Sequence, residues 1–218
     1  MVKIERSEEI TRGKESQKMA ERTQRDLDEA FDRAVELDRN KKIEEATAIY
    51  RSLARAGYPP AYFKLASLAF YFGEREDALT WLKLLEAAAA TGDADACLRC
   101  FHAYRMNWAL LGSPETQVIG SNYLLRAAEL GHTQAQRLLA LELRSGANGQ
   151  VKDEALYLYW ITRAIEGGED SAIYDHVKWL VDKKRPIPDG LRAKLAALAE
   201  RWPNAAKLLA RIERARNE

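Results

Sequence analysis

The sequence is poor in the residues that would mark several protein classes. Two cysteines in 218 residues exclude a disulfide scaffold. With three histidines beside them, they leave little for a four-ligand zinc site. Six prolines and twelve glycines leave little room for long irregular stretches. No apolar run approaches the ~18 residues needed to cross a bilayer as a helix. The first residues, MVKIERSEEITRGKESQ, are charged throughout and lack the apolar core of a secretory signal, which points to a cytoplasmic protein. No glycine-rich phosphate loop is present; Gly146 to Gly149 are followed by Lys152, but not in a Walker arrangement.

What remains is helical material. Hydrophobic residues make up 47% and charged residues 31%, with Ala, Leu, Glu, Lys and Arg abundant. The net charge of +1 is unevenly spread. Residues 183–218 carry 10 basic and 4 acidic side chains, against 13 basic and 18 acidic over 43–182. The basic end is local and lacks the interleaved aromatics of a single-strand binder, so it reads as a solvated cap.

A Gly-x-x-x-Ala pattern recurs at Gly57–Ala61, Gly92–Ala96, Gly131–Ala135 and Gly168–Ala172, with glycine spacings of 35, 39 and 37. Each glycine follows a helical stretch and can end it in the left-handed conformation. Asp93, Thr133 or Asp170 can then cap the next helix. Neither helix of such a pair can bury its apolar stripe alone, so pairs must stack. The expected helices run near 17–38, 43–56, 60–72, 76–91, 94–110, 114–130, 133–144, 152–166, 171–183, 189–201 and 203–216. Ser113-Pro114-Glu115 marks one helix start.

The stretch Tyr123-Leu124-Leu125-Arg126-Ala127-Ala128-Glu129-Leu130-Gly131-His132-Thr133-Gln134-Ala135-Gln136 resembles the core of Sel1-like repeats, W-Y-x-K-A-A-x-x-G-x-x-x-A-Q. Trp160, Arg163, Ala164 and Gly168 repeat the layout, and the connector Gly146–Asp153 resembles the family's glycine-rich loop. The units at Gly57 and Gly92 are degenerate. The resemblance implies an all-α fold, a right-handed α–α superhelix (solenoid) of stacked antiparallel helix pairs. The organisation expected is a flexible tail over 1–15, a repeat array over 16–182 and a capping helix pair over 183–218.

The resemblance also implies function. Such proteins are scaffolds and adaptors that bind other proteins, in bacteria in connection with secretion systems; neutralising a toxin by occlusion is a further candidate role. No catalytic residue, metal or cofactor is expected. Two alternatives stay open: weak hydrolase activity of the kind linked to β-lactam-binding relatives, and nucleic-acid binding through the basic C-terminal helices. A homodimer is also open, since a second copy could cover exposed apolar groove residues.

Counted from each glycine, the core should take positions +4, +8, +9 and +12, and the concave face positions +6, +10 and +13, by analogy with tetratricopeptide grooves. The concave set is Phe63, Ser67 and Phe70; Leu98, His102 and Arg105; Arg137, Leu141 and Arg144; Tyr174, Lys178 and Val181. Large apolar, aromatic and Arg side chains are typical interface anchors. Cys97 and Cys100 read as small core residues, because no strand precedes them. His132 is expected to be exposed and His176 to pack between helices. Trp81, Tyr104, Tyr123 and Trp160 read as core; Trp108 could pack on the next repeat or serve as an exposed anchor.

Overall fold

A computed structural model describes the backbone of residues 2–111, 115–147 and 150–217, and the side chains of 21–106, 115–147 and 150–215. Among these residues the chain forms eleven α-helices and no strand: α1 (Val2–Arg39), α2 (Ile43–Arg55), α3 (Pro59–Tyr71), α4 (Arg75–Ala90), α5 (Ala94–Leu111), α6 (Glu115–Glu129), α7 (Thr133–Ser145), α8 (Glu154–Glu166), α9 (Asp170–Asp182), α10 (Asp189–Ala199) and α11 (Pro203–Asn217). The ten helices expected after α1 are all present. The first, expected from about residue 17, begins at Val2 and takes in the segment read as a tail. That segment contains no proline and only Gly13, so no residue in it breaks a helix. Gly112–Pro114 and Asn148–Gly149 lie outside the described residues, as does the Trp108 side chain.

The helices group into two compact units, residues 1–88 and 89–218. In unit 1, α1, α2 and α3 enclose Ala34, Ala46, Tyr50, Leu53, Tyr58, Ala61 and Leu65. Phe31 packs on Tyr50 and Tyr58 with ring centroids 5.7 and 5.6 Å apart. Trp81 of α4 stacks on Tyr62 of α3. In unit 2, α5 packs on α6, α6 on α7, α7 on α8 and α8 on α9. The final pair covers α9 with a separate cluster that joins Ile173 and Val177 to Leu195, Leu198, Ala205, Leu208 and Ile212.

The turns are nearly identical. Gly57, Gly92, Gly131 and Gly168 all have positive φ. At Gly131 the amide donates to Ala128 O and the next amide to Ala127 O, closing the helix in a Schellman motif. The same pair of bonds recurs at Lys41 and Lys184, two non-glycine residues with φ of 61° and 52°. Two further turns of the stack are therefore made by lysine, which no glycine count could find. Asp93 caps α5 as expected, accepting from Ala96 N at 2.9 Å. Thr133 and Asp170 do not act as caps. They are the first helical residues, after His132 and Glu169, and only Glu169 caps with its side chain.

The core register is almost as expected. Of the sixteen core positions only Tyr104 and His176 are half-buried, and both keep a polar tip; the rest are buried. Gln136, five residues after Gly131, is buried and donates to Ala128 O at 3.1 Å. Cys97 stands five residues after Gly92, and its thiol contacts Ala89 O at 3.7 Å in the same way. The cysteine thus takes the place of the repeat's glutamine in a degenerate unit. Cys97 and Cys100 are both buried and form no disulfide, and burial pushes the Cys97 thiol above its ordinary range.

Candidate interaction site

In unit 2 the first helices of successive pairs, α5, α7 and α9, are tied to one another by side chains about one repeat apart. Arg105 Nη1 lies 3.2 Å from Glu142 Oε1, and Arg137 Nε lies 2.6 Å from Asp175 Oδ2. His132 stands 3.8 Å from Asp95, which also binds Arg99 at 2.5 Å. Burial alone would raise the Asp95 carboxyl, but His132 and Arg99 hold it below its usual range. In unit 1, Lys64 of α3 pairs with Asp38 of α1 at 3.0 Å. Arg105 and Arg137, expected as anchors for a partner, are thus engaged within the stack.

The other expected residues divide by exposure. Phe70 and Leu98, only 5% and 3% exposed, belong to the core and offer no surface to a partner. The reason is helical phase, since neighbouring residues differ by about 100° around the axis. Tyr71, the next residue after Phe70, carries the outward ring and is 82% exposed. In α5, Ala96, Cys97, Leu98, Cys100, Phe101 and Ala103 are all buried, three of them consecutive, so one residue of phase does not bring Leu98 to the surface. Phe63, Ser67, His102, Leu141, Arg144, Tyr174 and Val181 are half-buried, and Lys178 is exposed. Tyr174 packs on Trp202 of the connector between α10 and α11, with ring centroids 4.9 Å apart. His132 is half-buried rather than exposed.

Two expected residues meet in one place. Arg144 and Lys178 line a cleft of about 540 Å³ between the C-terminal end of α7, the start of α8 and the end of α9. Its floor is aromatic. Tyr157 lies 4.9 Å from Trp179, and the Tyr157 hydroxyl is 3.1 Å from His176 Nδ1. His176 stacks on Trp179. Burial pushes the Tyr157 hydroxyl up to about 12 and lowers the His176 imidazole. Arg144 sits over the Tyr157 ring at 5.8 Å, and Arg185 over Trp179 at 4.7 Å.

Sequence reasoning missed Lys152, Tyr157, Trp179 and Lys183 in this cleft. Trp179 falls at position +11, outside both the core and the concave series. Lys152 and Lys183 belong to connector and helix end, where a repeat register has no say. The two described ends of the connector nonetheless carry its resemblance features. Gly146 closes α7 at φ 73°, and Asp153 caps α8 by accepting from Leu156 N at 2.9 Å.

The basic C-terminal end is partly neutralised. Arg185 pairs with Glu154 at 2.6 Å, Arg201 with Asp170 at 2.5 Å and Arg211 with Asp182 at 3.7 Å. Among the described residues no helix is long and apolar enough to cross a membrane.

No protein-family model matches the sequence, and no curated protein matches it. Solved structures do match. A Sel1 repeat protein from Oxalobacter formigenes superposes with a TM-score of 0.58 at 23% identity, over 78% of this chain and 49% of that one. A protective antigen present in uropathogenic Escherichia coli strains, displaying an SLR fold, superposes with a TM-score of 0.56 at 23% identity, over 78% of this chain and 37% of that one. The chain thus spans half or less of the proteins it resembles. These likenesses show the fold, which is that of Sel1-like repeats.

Proposed function

We propose that this chain is a non-enzymatic adaptor of the cytoplasm that binds a partner protein on the face of α5, α7 and α9. The observation that carries the reading is the cleft lined by Arg144 and Lys178, two of the expected anchor residues. The Sel1-like repeat fold supports it, because stacked helix pairs offer extended recognition surfaces. A place in bacterial secretion or in neutralising a toxin belongs to the same reading. Its immediate consequence is a protein partner.

The test uses a photoreactive amino acid placed in turn at Leu141, Tyr174 and Lys178, and for comparison at Leu156 and Tyr159, two exposed positions on α8. Adducts to a second polypeptide are expected at the first three positions only. Equal labelling at α8, or none at the first three, overturns the reading. Charge reversal at Arg105 or Arg137 is a poor probe, because it would break the ion pairs that join α5 to α7 and α7 to α9.

A further inference from the structure

The cleft that contains Arg144 and Lys178 is lined by four cations, Arg144, Lys152, Lys178 and Lys183, and by four carboxylates. The two sets differ in what they already bind. Each carboxylate is engaged: Asp175 by Arg137, Glu154 by Arg185 and Asp182 by Arg211, while Asp153 caps α8. None of the four cations forms an ion pair with a described residue. A nominally balanced lining therefore faces solvent with uncompensated positive charge. Low-dielectric walls strengthen such a field. Trp179 and Tyr157 add an apolar floor, and roughly 300–1,000 Å³ is the usual range for a specific site. The Lys152 stem passes close over Gly146, where an added Cβ would stand 3.0 Å from Lys152 Cγ.

We propose that this cleft receives an acidic peptide segment of the partner protein, with Asp or Glu carboxylates beside Lys178, Lys183, Lys152 and Arg144 and a neighbouring apolar side chain on Trp179. The assignment rests on the protein-binding reading above and specifies the partner's chemistry. Discrete carboxylates suit the cleft better than a continuous phosphate backbone. A backbone would run across Asp153, Glu154, Asp175 and Asp182, whereas separate side chains can reach the cations between them.

The experiment uses the full chain on an array of decapeptides with zero, two, four or six Asp/Glu residues at otherwise random positions, matched by arrays with Lys in their place. Binding is expected to rise with acidic content to about ten-fold over the Lys arrays, and to fall several-fold as salt shortens the Debye length from ~14 to ~6 Å. Lys178→Glu/Lys183→Glu should abolish the preference. Lys207→Glu/Arg214→Glu, with the same change in net charge on exposed positions of α11, should keep it. Lys178→Gln/Lys183→Gln, both at exposed positions, gives the same readout without charge reversal, and circular dichroism checks the fold of each variant. No acidic preference, or a preference unchanged in the cleft variants, overturns the proposal. Cross-linking at Leu141 and Tyr174 without acidic selection would sink this inference alone; loss of that cross-linking would sink the adaptor reading as well.

Discussion

Lys41 and Lys184 hold the left-handed conformation that glycine provides at the other turns. A side chain there costs ~1–2 kcal/mol, while glycine brings an entropic penalty when the chain folds. The net expectation for Lys41→Gly or Lys184→Gly is a gain of about 0.5–1 kcal/mol, or ~2 °C in Tm each, measured by thermal circular dichroism. His102 and His176 make a second residue-scale case. Burial lowers both below the ordinary 6.5, with Arg105 and Arg99 adding to the effect at His102. The unfolded chain takes up protons on these rings as pH falls through 6.5, and the folded chain resists. Their contribution to stability is therefore complete above 6.5 and lost as pH falls further. Tm should drop between pH 7.5 and 5, and His102→Gln/His176→Gln should flatten that part of the curve. The sequence showed His176 to be a packing residue, because it stands at a core position of the repeat. It could not show that Lys41 makes a turn, since lysine carries no conformational signature of its own.

At the scale of the helix, contacts between pairs depend on small residues at fixed places. Gly167 ends α8 with ordinary φ, yet a Cβ there would overlap Thr133 Cγ2 at the start of α7. Gly167→Ala should cost about 1–3 kcal/mol, the usual range for overpacking. Thr133→Ser removes the offending methyl and should restore most of that loss, as a double-mutant cycle in urea would measure. Element boundaries were legible because glycine, Pro59, Pro188 and Pro203 punctuate a strong helical pattern. The proposed binding face was legible only in part. Its period could be counted from the glycines, and ten of the twelve positions avoid the core. Whether an arginine on that face is free or bound to the next repeat depends on a carboxylate 37 or 38 residues away, which local reading does not reach. Phe70 and Leu98 failed for another reason: near a helix end one residue of phase separates Phe70 from the surface, and Leu98 belongs to a run of three buried residues.

Across the whole chain, contacts connect neighbouring helices within each compact unit, so stability should be distributed by neighbourhood. Leu195 is fully buried in the cluster that joins α9 to the final pair. Leu195→Ala should cost about 2–5 kcal/mol. Hydrogen exchange should show lost protection in α9, α10 and α11, with α1, α2 and α3 unchanged. Uniform loss along the chain would argue for all-or-none unfolding instead. The repeated turn carries one more consequence. A Cβ built in the L configuration at Gly57, Gly92, Gly131 or Gly168 meets nothing within 4 Å, and only the sign of φ forbids it. For a residue of opposite chirality that sign is the favoured one. In a chemically synthesised chain, D-alanine at these four turns should stiffen the unfolded state while keeping the backbone in a conformation its chirality favours. Each would contribute about 0.4–1 kcal/mol.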